Sequence, residues 1–367
     1  MSCFAVVTGG GTSGHVLPAL AIADALVAAG HPRDDLHYIG TQRGFETTLL
    51  PPTGYPHTLL DVVGLQRSLS RRNLSFAPKL WRSTKDAKQL LGRLGPRVVV
   101  NVGGYASFPA TWAARRMRIP YVVVSYDRRP GLVSKLLARK ATACAVAFPG
   151  SALPHAVLTG APVRQELIAL DRHGARAAAR RALDLPDDRF VVAVMCGSQG
   201  AGAVNDVVTG TVERLATRRD LAVYHVVGER FLESAAPARD GADGILYRVI
   251  GYEHRMPQLY AAADLLVTRA GAGTIAELAT VGAPAIVVPW PDAAENHQVD
   301  NAKVLSDVGA AVLVEQEHLT VDRLVAEIER LAADRGALDE LATRARDAGE
   351  MHRSGRLVAL VEEVADR

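Results

Sequence analysis

Three cysteines in 367 residues, Cys3, Cys144 and Cys196, are too few for a disulfide framework, and their spacing fits no metal-ligand pattern. Each sits in an apolar stretch, so buried strand thiols in a reducing compartment are expected. No apolar run approaches the ~18–20 residues that a helix needs to cross a bilayer. No cationic stretch precedes the short apolar run Phe4–Val7, and glycine follows it almost at once, which argues against a signal peptide. Short-period repeats and low-complexity tracts are missing too. With 49 % apolar and 22 % charged residues the chain has ample material for packed cores. At ~150 residues per domain its length suggests two.

The net charge of +3 averages two unlike halves. Residues 1–160 carry 19 Lys/Arg against 7 Asp/Glu, a net +12, and the remainder carries a net −9. A basic half joined to an acidic half points to an anionic surface or ligand met by one of them.

Short β-branched runs alternate with alanine- and leucine-rich stretches. Phe4–Thr8, Leu36–Gly40, Val98–Val102, Tyr121–Val124 and Ala143–Ala147 read as buried strands, with helices at Pro18–Ala29, Leu74–Leu94 and Gly131–Lys140 between them. The rhythm pauses near Thr159–Pro162 and resumes with Phe190–Cys196, Ala222–Val227, Tyr247–Ile250, Leu265–Thr268, Ala285–Val288 and Ala311–Val314, followed by a helical tail from Val321. Two α/β, doubly wound, Rossmann-like domains are predicted, with a hinge near residues 160–170.

Doubly wound sheets bind ligands beyond the carboxyl ends of their strands, where loops meet helix N-termini. Four such loops are glycine-rich: Gly9-Gly10-Gly11-Thr12-Ser13-Gly14-His15, Gly103-Gly104-Tyr105, Gly197-Ser198-Gln199-Gly200-Ala201 and Arg269-Ala270-Gly271-Ala272-Gly273-Thr274. Glycine lets the backbone approach an anion closely, and a helix N-terminus adds partial positive charge. Glycine loops in both halves predict a site in the cleft between the domains. Gly9-x-Gly11-x-x-Gly14 fits the dinucleotide fingerprint, but the second strand ends Tyr38-Ile39-Gly40-Thr41-Gln42 without the acidic residue that would hold a ribose, so a dehydrogenase is disfavoured. A Walker A lysine is absent from all four loops, which argues against an ATPase.

His15, beside the first loop, is either a backbone-bonding cap or a proton acceptor. Glu277, early in the helix after the fourth loop, either complements the helix dipole or grips a ribose diol. Asp292–Ala302 is crowded with polar side chains, among them His297 and Gln298, which suit sugar hydroxyls that need donors and acceptors together. No tight metal-ligand set is visible there.

Taken in order, the loops resemble the MurG family, UDP-N-acetylglucosamine transferases of peptidoglycan precursor synthesis. Gly10–His15 matches that family's G-G-T-x-G-H, and Gly40-Thr41-Gln42-Arg43-Gly44-Phe45-Glu46 its G-T-x-R-G-x-E. Gly103-Gly104-Tyr105, Arg129-Pro130-Gly131-Leu132, Pro162-Val163-Arg164, Gly197–Ala201, Arg269-Ala270-Gly271 and His297-Gln298 follow in register over nearly the whole chain. The resemblance implies a GT-B fold, with an acceptor and membrane-side domain at 1–163, a UDP-sugar domain at 164–345, and a C-terminal helix, 346–367, packing back on the first. Thr12, Ser13, Gly14, Gly104 and Tyr105 would line the acceptor side. Arg164, Ser198, Gln199, Gly200 and Arg269 would serve the donor side, with Arg164 and Ser198 on its diphosphate. The backbone of Ala270–Thr274 would cradle that diphosphate, Glu277 would hold the ribose, and His297 and Gln298 would contact the sugar. The resemblance also implies inversion by direct displacement of UDP without an obligatory metal or other cofactor, and the chain has no Asp-x-Asp motif.

Residues 61–100 hold nine Lys/Arg against two Asp, with Phe76, Leu80 and Trp81 interleaved. One face of this helix is expected either to enter an anionic headgroup layer or to pack on the core. In the context of the resemblance the former is favoured, giving a cytoplasmic protein held peripherally on the inner face of the membrane. The expected partners are thus UDP-GlcNAc, a lipid-linked or other anionic acceptor and an anionic membrane surface, with no nucleic acid.

One family motif is broken. Aligned on Arg129-Pro130-Gly131, the H-E-x-N positions hold Val124, Ser125, Tyr126 and Asp127. Valine cannot hydrogen-bond as histidine does, and serine carries no charge; only Asp127 restores a carboxylate. Tyr252-Glu253 likewise stands where the family has an aromatic-aliphatic pair. A paralogue with another acceptor, such as a secondary metabolite, therefore stands as an alternative, as do a UDP-sugar 2-epimerase and a non-catalytic binding protein. His15 and then Asp127 are the candidates for the general base.

Overall fold

The computed structural model of the protein describes residues 3–64, 76–197, 199–293 and 297–367, without the side chains of Ser13, Phe76 and Ala77. The chain divides into two compact units, Met1–Gln165 together with Met351–Arg367, and Glu166–Glu350.

In the first unit the strands are β1 (Ala5–Thr8), β2 (Leu36–Thr41), β3 (His57–Leu60), β4 (Val98–Asn101), β5 (Tyr121–Ser125), β6 (Ala143–Val146) and β7 (Ala156–Leu158). They form one parallel sheet in the order β3-β2-β1-β4-β5-β6-β7. The helices are α1 (Ser13–Ala28), α2 (Glu46–Leu49), α3 (Phe76–Leu94), α4 (Phe108–Met117) and α5 (Leu132–Ala138). The central strands are buried throughout, as their continuous valine-rich runs require for a sheet covered on both faces.

Crossing to the second unit, the chain forms the short α6 (Gln165–Ile168) and then α7 (Arg172–Ala182). The strands that follow are β8 (Phe190–Met195), β9 (Leu221–Val226), β10 (Arg239–Asp240), β11 (Leu246–Ile250), β12 (Leu265–Thr268), β13 (Ala285–Val287) and β14 (Val312–Leu313). Their order is β10-β11-β9-β8-β12-β13-β14, parallel except for the β10–β11 edge. The remaining helices of this unit are α8 (Gly202–Arg214), α9 (Met256–Ala262), α10 (Ala272–Val281), α11 (His297–Ser306), α12 (Val321–Ala333) and α13 (Arg335–Ala348). The last helix, α14 (Arg356–Ala365), belongs to the first unit, where it packs on α1, β4, β5 and β6. Its return is pinned by His352, whose Nδ1 accepts the Ala161 amide at 3.0 Å. Arg164 falls within the first unit, one residue before its boundary.

These two doubly wound sheets are the GT-B fold class expected from the sequence. In each, the strand order reverses direction at one point: between β1 and β4 in the first, and between β8 and β12 in the second. Ligands of open α/β sheets bind at such switch points, outside the carboxyl ends of the strands. All four glycine loops flank them.

Candidate active site

In the first unit the loop after β1 is shaped by a carboxylate. Glu46, fully buried at the start of α2, accepts the amides of Gly11 and Thr41 on one oxygen, both at 3.0 Å. A side chain at Gly10 or Gly44 would collide with that carboxylate. The loop after β4 closes from the other side: Gly104 has φ +76°, and a Cβ there would strike the Gly10 carbonyl. The ring of Tyr105 lies against Gly11, so the two loops interlock rather than merely adjoin.

α1 begins at Ser13, five residues before the expected Pro18, which puts His15 in its first turn. The His15 Nδ1 lies 2.9 Å from the Thr12 hydroxyl, and its ring rests on Gly103 and Gly104. Burial pulls the imidazole below its usual range, against the opposing pull of the Asp127 carboxylate. His15 is therefore a neutral base at neutral pH, with an acid facing it. Tyr126 is buried with its ring 6.4 Å from that of His15, and its hydroxyl donates to the Gly14 carbonyl. Val124 and Ser125 end β5 with buried side chains, so the broken motif places packing residues where the family pattern has polar ones.

In the second unit β12 leads into α10 through Arg269–Gly271. Gly271 caps α10 without a side-chain hydrogen bond, and Ile275 makes the first intrahelical bond to it, at 2.9 Å. An α-helix leaves its first amides without intrahelical partners, here those of Ala272, Gly273 and Thr274. Open space surrounds the position where a Gly273 Cβ would sit. This is the geometry of an anion site at a helix N-terminus.

Two residues expected at the donor, Gln298 and Arg269, hold the protein backbone, and Asn301 joins them. Gln298 places its Oε1 on the amides of Ala270 at 3.2 Å and Trp290 at 3.0 Å, while Asn301 donates to the Ala270 carbonyl at 3.3 Å. The Ala270 peptide is thus tied to α11 at both ends. Arg269 is buried and donates to the carbonyls of Val288 and Pro289 at 3.2 and 3.1 Å and to the Gln316 side chain at 2.6 Å. Its guanidinium braces the loop after β13.

Glu277 lies one turn into α10, half-buried, and accepts the hydroxyl of fully buried Tyr260 on Oε2 at 2.9 Å. The loop after β8 turns at Gly200, φ +65°, whose missing side chain lets it press on the Val227 carbonyl. Asn205 of α8 donates to that same carbonyl at 3.0 Å and is held by His225 at 3.1 Å. Gln199 is exposed in this loop; Ser198, with Ala294–Asn296, lies outside the described residues. His297 opens α11, half-buried, and Arg164 is half-buried in the first unit.

Glu46, Tyr126, Asn205 and Tyr260 shape these sites and were given no role from sequence. Glu46 is a specified position of the matched Gly40–Glu46 motif, and that pattern could have flagged it. The others act through contacts 17 to 112 residues away along the chain, which periodicity does not carry.

The sequence matches the glycosyltransferase family 28 N-terminal domain over residues 5–146 and the glycosyltransferase family 28 C-terminal domain over residues 191–355. It is 39 % identical to the UDP-N-acetylglucosamine–N-acetylmuramyl-(pentapeptide) pyrophosphoryl-undecaprenol N-acetylglucosamine transferase of Acidothermus cellulolyticus, covering 98 % of this chain and 97 % of that one. The enzyme of the same name from Desulforudis audaxviator is 35 % identical, over 99 % and 98 % of the two chains. Among solved structures, MurG of Acinetobacter baumannii superposes with a TM-score of 0.74 at 27 % identity, over 99 % of this chain and 100 % of that one.

Proposed function

Since the chain belongs to glycosyltransferase family 28, as a member of the MurG group, we infer that it transfers GlcNAc from UDP-GlcNAc to lipid-linked N-acetylmuramoyl-pentapeptide in peptidoglycan synthesis. The observation that carries this is full-length similarity to enzymes of that name, joined to glycine loops at the switch points of both sheets.

The second unit holds the donor. The diphosphate rests on the amides of Ala272, Gly273 and Thr274 at the start of α10, with the Gln199–Gly200 turn following the adjacent strand β8. Backbone amides and a helix dipole hold an anion without a basic domain, which reconciles the net −9 of residues 161–367 with an anionic donor. Glu277 binds the ribose hydroxyls, and His297 meets the sugar. Arg269 and Gln298 serve through Ala270 and the loop after β13, setting the cradle rather than touching the phosphates.

The first unit holds the acceptor, on Thr12–Gly14, Gly104 and Tyr105. The acceptor hydroxyl attacks the anomeric carbon, the bond from that carbon to the diphosphate oxygen breaks, and UDP leaves with the electron pair, inverting the centre. With His15 Nδ1–H donated to the Thr12 hydroxyl, Nε2 presents the lone pair that takes the acceptor proton. The Asp127 charge stabilises the imidazolium that results. Charge developing on UDP is met by the α10 amides, so no step calls for a metal ion or other cofactor.

No helix among the described residues is long and apolar enough to cross a membrane. The lipid-linked acceptor is reached peripherally, on the inner face of the membrane from the cytoplasm, through the basic 61–100 region. There Trp81 of α3 is 67 % exposed with the Lys85 ammonium 5.7 Å from its ring centre; residues 65–75 and the Phe76 side chain lie outside the described residues. Trp81→Glu should weaken sedimentation with anionic vesicles and leave UDP affinity unchanged. For the activity itself, the chain should restore growth of a bacterium depleted of its own MurG; failure to do so with UDP-GlcNAc binding intact would point to a different acceptor, as the broken motif at Val124–Asp127 allows.

A further inference from the structure

Two helices of the second unit are braced against each other behind the ribose carboxylate. Arg172, at the start of α7, donates from Nε to the Tyr260 carbonyl at 3.0 Å, from one terminal nitrogen to the Ala263 carbonyl at 2.9 Å, and from the other to the Gly282 carbonyl at 2.6 Å. The first two acceptors end α9; the third caps the C-terminus of α10. One guanidinium therefore fixes the spacing of these helices, and across that spacing the Tyr260 hydroxyl reaches Glu277 Oε2 at 2.9 Å. Tyr260 is fully buried, so its hydroxyl has been withdrawn from water to make this contact. A hydrogen bond to a carboxylate from an immobilised phenol fixes the orientation of the carboxylate plane.

We propose that Tyr260 is a positioning residue for nucleotide recognition, orienting Glu277 so that its carboxylate accepts both hydroxyls of the donor ribose. The proposal rests on the ribose role given to Glu277 above. It makes Tyr260 matter for the 2′ and 3′ hydroxyls and not for the diphosphate or the base.

The test is calorimetric, on the full-length protein, with UDP and 2′,3′-dideoxy-UDP as probes. The unmodified protein should prefer UDP by about tenfold or more, as expected for two hydroxyls bonded to a charged group. Tyr260→Phe, which keeps the ring and loses one oxygen, should cut that preference roughly three- to tenfold while leaving dideoxy-UDP affinity within about twofold. In a Glu277→Ala background the same substitution should have no further effect on the preference, because Tyr260 acts through Glu277. If Tyr260→Phe weakens both nucleotides equally, or leaves the preference whole while Glu277→Ala abolishes it, the positioning role is overturned and the ribose role of Glu277 stands. A Glu277→Ala protein that keeps the full preference overturns the ribose role itself, and the proposal with it.

Discussion

The hydroxyl of Tyr126 donates to the carbonyl oxygen of Gly14, the oxygen that Pro18 leaves without its partner inside α1. Proline has no N–H, so the bond that residue 18 would make four residues back is missing, and a phenol from the end of β5 supplies it. The link ties the first glycine loop to the strand that carries the altered motif, beside His15. Tyr126→Phe should destabilise the fold by about 1–2 kcal/mol in urea titration. It should also lower turnover with the lipid acceptor while UDP affinity stays unchanged. Unaltered stability and turnover would show the link to be incidental.

His15→Ala should reduce turnover by about two to four orders of magnitude, the range for loss of a positioned base, with UDP affinity within about twofold. As base, His15 must be neutral, and burial already lowers its pKa from the ordinary 6.5. Activity should therefore hold down to pH 6.5 and fall only on further acidification. Asp127→Asn removes the charge that raises the His15 pKa, so the acid limb of the pH–rate profile should move to lower pH. A limb that moves upward, or full rate in both variants, would remove these residues from proton transfer.

Arg269→Lys separates bracing from phosphate contact. Lysine cannot span the Val288 and Pro289 carbonyls and the Gln316 side chain together. The variant should lose about 2 kcal/mol of stability, with UDP affinity falling less than about threefold. A loss of UDP affinity of a hundredfold without loss of stability would instead put Arg269 on the diphosphate.

Two buried histidines should make the fold acid-sensitive. Burial lowers His225 and His352 to about 4 from the ordinary 6.5. His225 donates from Nε2 to Asn205 and accepts from Tyr247 on Nδ1, an arrangement of the neutral ring alone. Between pH 4 and 6.5 the unfolded chain binds protons that the native state refuses. Their stabilisation is thus fully present above pH 6.5 and is lost as pH falls toward 4, by about 1–3 kcal/mol for each group. Urea midpoints at pH 7, 5.5 and 4.5 should fall steadily, and less steeply in His225→Gln. Equal slopes in the two proteins would contradict this assignment for His225.

The strands of the sheet centres were legible because a parallel sheet buried on both faces demands uninterrupted β-branched runs, as Val98–Asn101 and Phe190–Met195 have. Three of the four edge strands were not: His57–Leu60 and Ala156–Leu158 are short and partly exposed, and β10 is two residues long, whereas β14 falls within the expected Ala311–Val314. The glycine loops could be read because only glycine permits such close approaches, at Gly104 and Gly200 for example. What the side chains of the loops do was harder. The residue type of Arg269 or Gln298 suits a phosphate or a sugar as well as a backbone carbonyl or amide, and only the fold reveals that the backbone partners are within reach. Tyr126 shows the same limit from the other side: the unspecified position of the broken motif carries a contact that the motif could not announce.

The most direct measurement is transfer itself. The protein is incubated with UDP-GlcNAc and undecaprenyl-diphosphate-linked N-acetylmuramoyl-pentapeptide, and both UDP release and the mass of the lipid product are followed. The expected result is one UDP released for each acceptor that gains a single N-acetylhexosamine. UDP-GlcNAc that binds without reaching this acceptor, or that isomerises when no acceptor is present, would contradict it.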